Sequence, residues 1–149
     1  MPKIRITKKF SFEMAHALWN YDGPCKNIHG HSYKLWVTII GEPLNDIHSK
    51  KNGMIIDFNQ LKDIIKRVII NKFDHSVVVN NNAPYHMLEK IEQMFDNYIA
   101  LPYQPTCEML ICDFAKMIQQ ELPPNVKLYS LKLAETDNSY AEWYSQDNE

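Results

Sequence analysis

The chain has 149 residues, 45% hydrophobic and 23% charged, a length and balance that fit one globular domain spanning residues 1–149. Sixteen Lys and Arg against eighteen Asp and Glu give a formal charge of −2, and with no basic block the composition excludes a nucleic-acid partner. No run approaches the roughly eighteen apolar residues of a membrane span, and the N-terminus lacks a signal peptide's apolar core; Cys25, Cys107 and Cys112, odd in number and irregularly spaced, suit a reducing cytoplasm.

Lys3 to His16 alternates polar and apolar through Ile4, Ile6, Phe10, Phe12 and Met14, which predicts a strand ending on His16. Asp22-Gly23-Pro24 marks a turn-rich link to a second extended segment, where β-branched and aromatic residues dominate from Ser32 to Ile40. Lys51-Asn52-Gly53 predicts a turn and Met54-Ile55-Ile56 a short extended piece. Asp57 then caps an amphipathic helix of about fourteen residues carrying Leu61, Ile64, Ile65, Val68 and Ile69. Asn80-Asn81-Asn82 reads as a loop, and residues 84–98 present Met87, Ile91, Met94 and Phe95 at helical spacing. Thr106 caps a third helix, with Leu110, Ile111, Phe114 and Ile118 inward and Pro123-Pro124 ending it. Val126 to Thr136 and Tyr140 to Tyr144 are strands joined at Asp137-Asn138. The order strand, strand, three helices, strand, strand predicts an α+β domain, an antiparallel sheet with helices on one face. Its free edges point to a homo-oligomer.

The chemistry concentrates in Cys25-Lys-Asn-Ile-His29-Gly-His31. Residues two apart on a strand share a face, so His29 and His31 can reach one ion, and an antiparallel first strand delivers His16 beside them. Three neutral nitrogens with an open fourth position are what catalytic zinc takes. A lone histidine is more often a surface or core residue, and His48 and His86 are read that way. Cys25 is either a small buried hydrophobe, a proton acceptor or nucleophile activated beside the metal, or a fourth zinc ligand. Asp74-His75 is either a helix-terminal histidine beside a solvated carboxylate or an imidazole oriented by that carboxylate. Glu108 fits a first-turn carboxylate favoured by the helix dipole. Glu135 shares the Leu131/Leu133 face, where a carboxylate needs a partner or ligand. Either glutamate has the geometry to take the amino-imine edge of a guanine-like ring through two parallel hydrogen bonds.

Taken in order, Phe12-Glu-Met-Ala-His16, Cys25-x-x-x-His29-Gly-His31-x-Tyr33, Gly53-Met-Ile-Ile-Asp57-Phe-x-x-Leu61-Lys, Phe73-Asp74-His75, Pro105-Thr106-x-Glu108 and Glu135-Thr136 resemble the 6-pyruvoyl- and 6-carboxytetrahydropterin synthase family across nearly the whole chain. The resemblance implies a tunnelling fold whose sheets join into a barrel across subunits, often as a hexamer from two trimers. It implies zinc on His16, His29 and His31, and Cys25 as proton acceptor. Asp74 and His75 would relay protons from a neighbouring subunit, Glu108 with Thr106 would hold the pterin, and Glu135 would belong to the charge relay. The implied substrate is dihydroneopterin triphosphate, with no external redox cofactor. The Cys-x3-His-Gly-His spacing is similar to the carboxy-forming enzymes of queuosine biosynthesis. Glu135-Thr136-Asp137-Asn138 is closer to the pyruvoyl-forming ending, and residues 80–104 and Met109 depart from the compact pattern. The carboxy-forming reaction is the expectation; the pyruvoyl reaction, a side-chain aldol cleavage and a non-catalytic pterin-binding paralogue are the alternatives.

Overall fold

The computed structural model describes residues 2–149. In chain order its elements are β1 (Ile4–His16), β2 (His29–Gly41), α1 (Phe58–Ile65), α2 (Asn71–Phe73), β3 (Ser76–Asn80), α3 (Tyr85–Met94), β4 (Tyr98–Leu101), α4 (Cys107–Glu121), β5 (Val126–Thr136) and β6 (Ser139–Tyr144). The strands form one six-stranded sheet in the order β4-β3-β1-β2-β5-β6.

The central pair makes the site possible. β1 and β2 are antiparallel along their whole length, from Ile4 opposite Gly41 to His16 opposite His29. Their period-two pattern turns Phe10, Phe12, Met14, Tyr33, Leu35, Val37 and Ile39 to one buried face. Against that face pack Leu61, Ile65, Phe73, Leu110, Phe114 and Ile118 from α1, α2 and α4. Phe12 stacks on Tyr33 at 5.1 Å between ring centroids, and Phe114 meets both Phe12 and Phe73 edge-on.

The caps are where the residue types predict them. Asp57 accepts from the Asn59 amide and pairs with Lys51, and Thr106 accepts from the Met109 amide at 3.2 Å. The first helix runs on from α1 through a π turn (Lys66–Ile70) into α2, so the apolar stripe continues to Phe73.

Two expectations are corrected. The sheet is mixed, because β3 lies parallel to β1 and β4 parallel to β3. Ser76-Val-Val-Val-Asn80 is too short and too uniformly buried to show alternation, and the α3 crossover between two parallel strands was the longer pattern. The helix expected within residues 84–98 is present as α3, although it buries none of its residues: Met87 and Met94 are exposed, as is Phe95 just beyond it. Met54-Ile55-Ile56 joins no ladder. Ile55 and Ile56 are buried through a bend, tied to the preceding loop by the Leu44 amide bonding to Met54 O.

Along β5 the pairing with β2 shifts at Thr38/Ile39, leaving Tyr129 as the extra residue between Leu128 and Ser130. That bulge lets both Leu128 and Leu131 face the core, three positions apart. Without it the side chains on the two sides of the bulge would alternate in one register, and Leu128 and Leu131 would face opposite sides of the sheet.

Candidate metal centre and active site

His16, His29 and His31 converge at the end of the central hairpin, with one ligand atom from each lying within 4.8 Å of the others. β1 buries His16 almost completely, while His29 and His31 stay partly open. The ring centroids are 4.6 to 5.3 Å apart and the planes cross at steep angles, so the rings are not stacked and their edges meet.

Hydrogen bonds fix the tautomers. His16 Nδ1 is 2.7 Å from the Pro105 carbonyl and His29 Nδ1 is 2.8 Å from the Asn27 carbonyl. A carbonyl only accepts, so each Nδ1 carries the proton and each neutral ring presents its Nε2 lone pair. Those two Nε2 atoms face one another at 3.0 Å. Two lone pairs at that distance repel unless a cation lies between them. A tetrahedral ion with bonds of about 2.0–2.1 Å spaces its nitrogens roughly 3.3 Å apart, close to what the protein holds. The donor set therefore fits a divalent metal, with the backbone carbonyls orienting the ligands from behind.

The electrostatics agree. Burial is the largest influence on His16 and lowers its pKa to about 4; the Pro105 bond works against this, and the neighbouring His29 and His31 add to it. A ring held neutral is a ring ready to ligate. Beneath it Tyr33, fully buried, sends its hydroxyl from the aromatic core to 3.5 Å from His16 Nδ1. Burial first, and then the Glu135 carboxylate, push the Tyr33 phenol far up, so it stays a neutral donor. Glu135 itself stands 4.0 Å from His31 Nε2. Cys107, raised to about 12 chiefly by burial and next by Glu135, is an inert thiol donating to Leu133 O.

The remaining site residues fall into two groups. Cys25 lies in a single 3-10 turn (Pro24–Lys26), partly buried, on the loop between β1 and β2. Among the described residues the group close enough to hold a metal ion comprises the three histidines, and Cys25 stands outside it. Thr106 and Glu108 open α4 directly after Pro105, whose carbonyl holds His16, and Glu108 is exposed there.

Asp74 and His75 sit elsewhere. Asp74 ends α2, and its Oδ1 accepts from the Glu13 amide at 2.8 Å and lies 3.0 Å from His75 Nδ1. His75 takes a left-handed backbone, φ 58°, costly for a residue with a Cβ. The β1 edge holds it there, through its amide donating to Glu13 O at 2.6 Å. Burial raises the Asp74 carboxyl, but the Glu13 amide and His75 outweigh it and the net shift is downward. Glu13 is three residues from His16 on β1, roughly 10 Å along the strand, and its odd position faces the other side of the sheet. Within one chain the pair and the triad are thus separate groups.

Sequence reasoning missed Tyr33's hydroxyl, the Pro105 carbonyl, Gln104 and Glu13. Tyr33 is marked only by its place two residues beyond His31, on the same strand face. A carbonyl that accepts from a distant imidazole carries no residue-type signal at all. A groove of about 670 Å³ between Lys3, Arg5, Lys127 and Trp143 opens at the opposite end of the strands, remote from this chemistry.

Residues 5–146 match the family model for 6-pyruvoyl tetrahydropterin synthase. A protein of Haemophilus influenzae named 6-carboxy-5,6,7,8-tetrahydropterin synthase is 34% identical over 144 residues, covering 94% of this chain and 98% of its own. A protein of that name from Aquifex aeolicus is 30% identical, covering 95% and 98%. Among solved structures, an uncharacterized protein from Wolinella succinogenes superposes with a TM-score of 0.75 at 20% identity, covering 97% of this chain and 99% of its own. The Caenorhabditis elegans 6-pyruvoyl tetrahydropterin synthase superposes with a TM-score of 0.68 at 22% identity, covering 97% and 96%. At those identities the two structures establish the fold alone.

Proposed function

We infer the activity of this chain from its family, for it belongs to the 6-pyruvoyl tetrahydropterin synthase family. Within that family it is a zinc-dependent 6-carboxy-5,6,7,8-tetrahydropterin synthase. It converts 7,8-dihydroneopterin triphosphate to 6-carboxytetrahydropterin, acetaldehyde and triphosphate, a step of queuosine biosynthesis. The observation that carries the reading is the pair of Nε2 lone pairs held 3.0 Å apart beside His31 in a chain whose curated relatives bear that enzyme's name.

His16, His29 and His31 hold the metal. When bound, zinc supplies Lewis-acid polarisation of the substrate's side-chain hydroxyls and acidifies the adjacent bonds. Cys25, on the loop beside the triad, takes a proton from a side-chain carbon as its thiolate. His75, oriented by Asp74, relays protons to and from the same side chain. The separation of that pair from the triad within one chain supports a site completed by a neighbouring subunit, in a homo-oligomer built as a dimer of trimers. Glu108 accepts from the pterin's amino-imine edge with Thr106 beside it, and Glu135 steadies charge next to His31. Residues 1–149 act as one domain. Three free cysteines support a cytoplasmic setting. Among the described residues no helix is long and apolar enough to cross a membrane.

The test is product analysis by mass spectrometry after anaerobic incubation of the zinc-loaded protein with dihydroneopterin triphosphate. Carboxytetrahydropterin with equimolar acetaldehyde is the expected result. Pyruvoyltetrahydropterin without acetaldehyde overturns the branch, and unchanged substrate overturns the enzyme in favour of a binding paralogue.

A further inference from the structure

We propose that Gln104 is a positioning residue, whose side-chain amide clamps the loop that carries Cys25 and thereby sets the thiol against the triad. The clamp is two-sided. Trp19 N donates to Gln104 Oε1 at 3.0 Å, and Gln104 Nε2 donates to Trp19 O at 2.8 Å. A primary amide bonding both ways to one residue's backbone reproduces a rung of a β-ladder, and it tolerates little sliding or rotation. A third bond fixes which way the amide faces. Asn80, buried at the end of β3, donates from Nδ2 to the same Oε1 at 3.1 Å, while its own Oδ1 accepts from the Asn82 amide.

The loop has few other anchors. Ala17 N donates to Val78 O at 3.3 Å where the loop leaves β1, and from Leu18 to Lys26 its hydrogen bonds among the described residues run within the loop, apart from the two to Gln104. One of the internal bonds, Leu18 N to Cys25 O at 3.0 Å, joins Cys25 to the residue next to the clamp. Asn20 within the loop takes a left-handed backbone, φ 63°. Gln104 ties the middle of this stretch to the neighbouring strand end at Asn80. It also adjoins Pro105, whose carbonyl orients His16, and Thr106, which caps the helix bearing Glu108. Three consecutive residues therefore register the thiol loop, a metal ligand and the substrate-facing helix end relative to one another. A proton acceptor displaced by an ångström loses on the order of a hundredfold in rate, which gives such registration its value.

The inference rests on Cys25 as proton acceptor, and its test separates the two. Gln104→Met keeps the side chain's length and removes all three bonds, and Gln104→Asn keeps the amide but falls one methylene short. In the zinc-loaded protein, amide hydrogen exchange over residues 18–25 is expected to quicken about tenfold in Gln104→Met and less in Gln104→Asn, with exchange in α4 unchanged. Zinc content and KM are expected to hold while kcat falls about tenfold or more. Unchanged exchange overturns the clamp. An unchanged kcat, or one that falls only with zinc content or with a rising KM, overturns the positioning role. A wild-type protein that turns over no dihydroneopterin triphosphate overturns the proposed function instead, and the exchange measurement still decides the clamp.

Discussion

Removing the metal, or one of its ligands, gives the sharpest prediction. In the zinc-free chain His16 and His29 present lone pairs 3.0 Å apart with both Nδ1 protons committed to carbonyls. A ligand that binds the native state alone stabilises it by RT ln(1 + [L]/Kd), about 2.7 kcal/mol at a hundredfold excess over Kd. For a domain of this length about 1 kcal/mol moves Tm by roughly 2–4 °C, so saturating zinc should raise Tm by about 5–11 °C over chelated protein. His16→Ala removes a ligand and strands the Pro105 carbonyl against a buried gap, a loss of about 1–3 kcal/mol that zinc cannot restore. Differential scanning calorimetry with zinc and with a chelator measures both, paired with metal analysis of each variant. A chelator that leaves the wild-type Tm unmoved, or zinc raising Tm equally in His16→Ala, would refute the reasoning.

The pH dependence of the zinc-free chain follows from His16. Its folded pKa of about 4 lies below the ordinary value of 6.5, so the unfolded chain binds the proton first. Stability should therefore fall as pH drops from 6.5 toward 4, by about 3 kcal/mol, and level off below. Urea titrations across that window should show the slope in wild type and not in His16→Gln. Thr106→Ala removes the cap of α4 and should lower stability by about 1 kcal/mol, read as a Tm decrease; because the same turn carries Glu108, KM should rise more than kcat falls. Asp74→Asn keeps the shape but loses the carboxylate that accepts from Glu13 N and orients His75. It should cut kcat on the order of a hundredfold. Its Tm should stay within a few degrees of wild type, the group being more than a third exposed; a large loss of Tm would assign Asp74 to folding instead.

The central hairpin, the caps at Asp57 and Thr106 and the convergence of His16, His29 and His31 were all legible in the residue pattern. Each rests on a local rule: period two along a strand, an oxygen before a helix, and two histidines spaced for one face. Local rules give out where geometry depends on what lies across the fold. Val77, Val78 and Val79 look alike whether they form a loop core or a parallel strand, and only the edge of β1 selects the latter. Met87, Met94 and Phe95 have a helical period, but no neighbour covers them.

By itself, then, the sequence determined the α+β class, the three histidines that come close enough to hold a metal ion and the family, because each is written in side-chain type and spacing along a continuous segment. The tertiary structure decided the parallel strands, the tautomers of His16 and His29, the left-handed strain at His75 and the Gln104 clamp. In all four a backbone amide or carbonyl is a partner. Every residue offers those groups, so nothing in the order of side chains can announce which distant atom will use them.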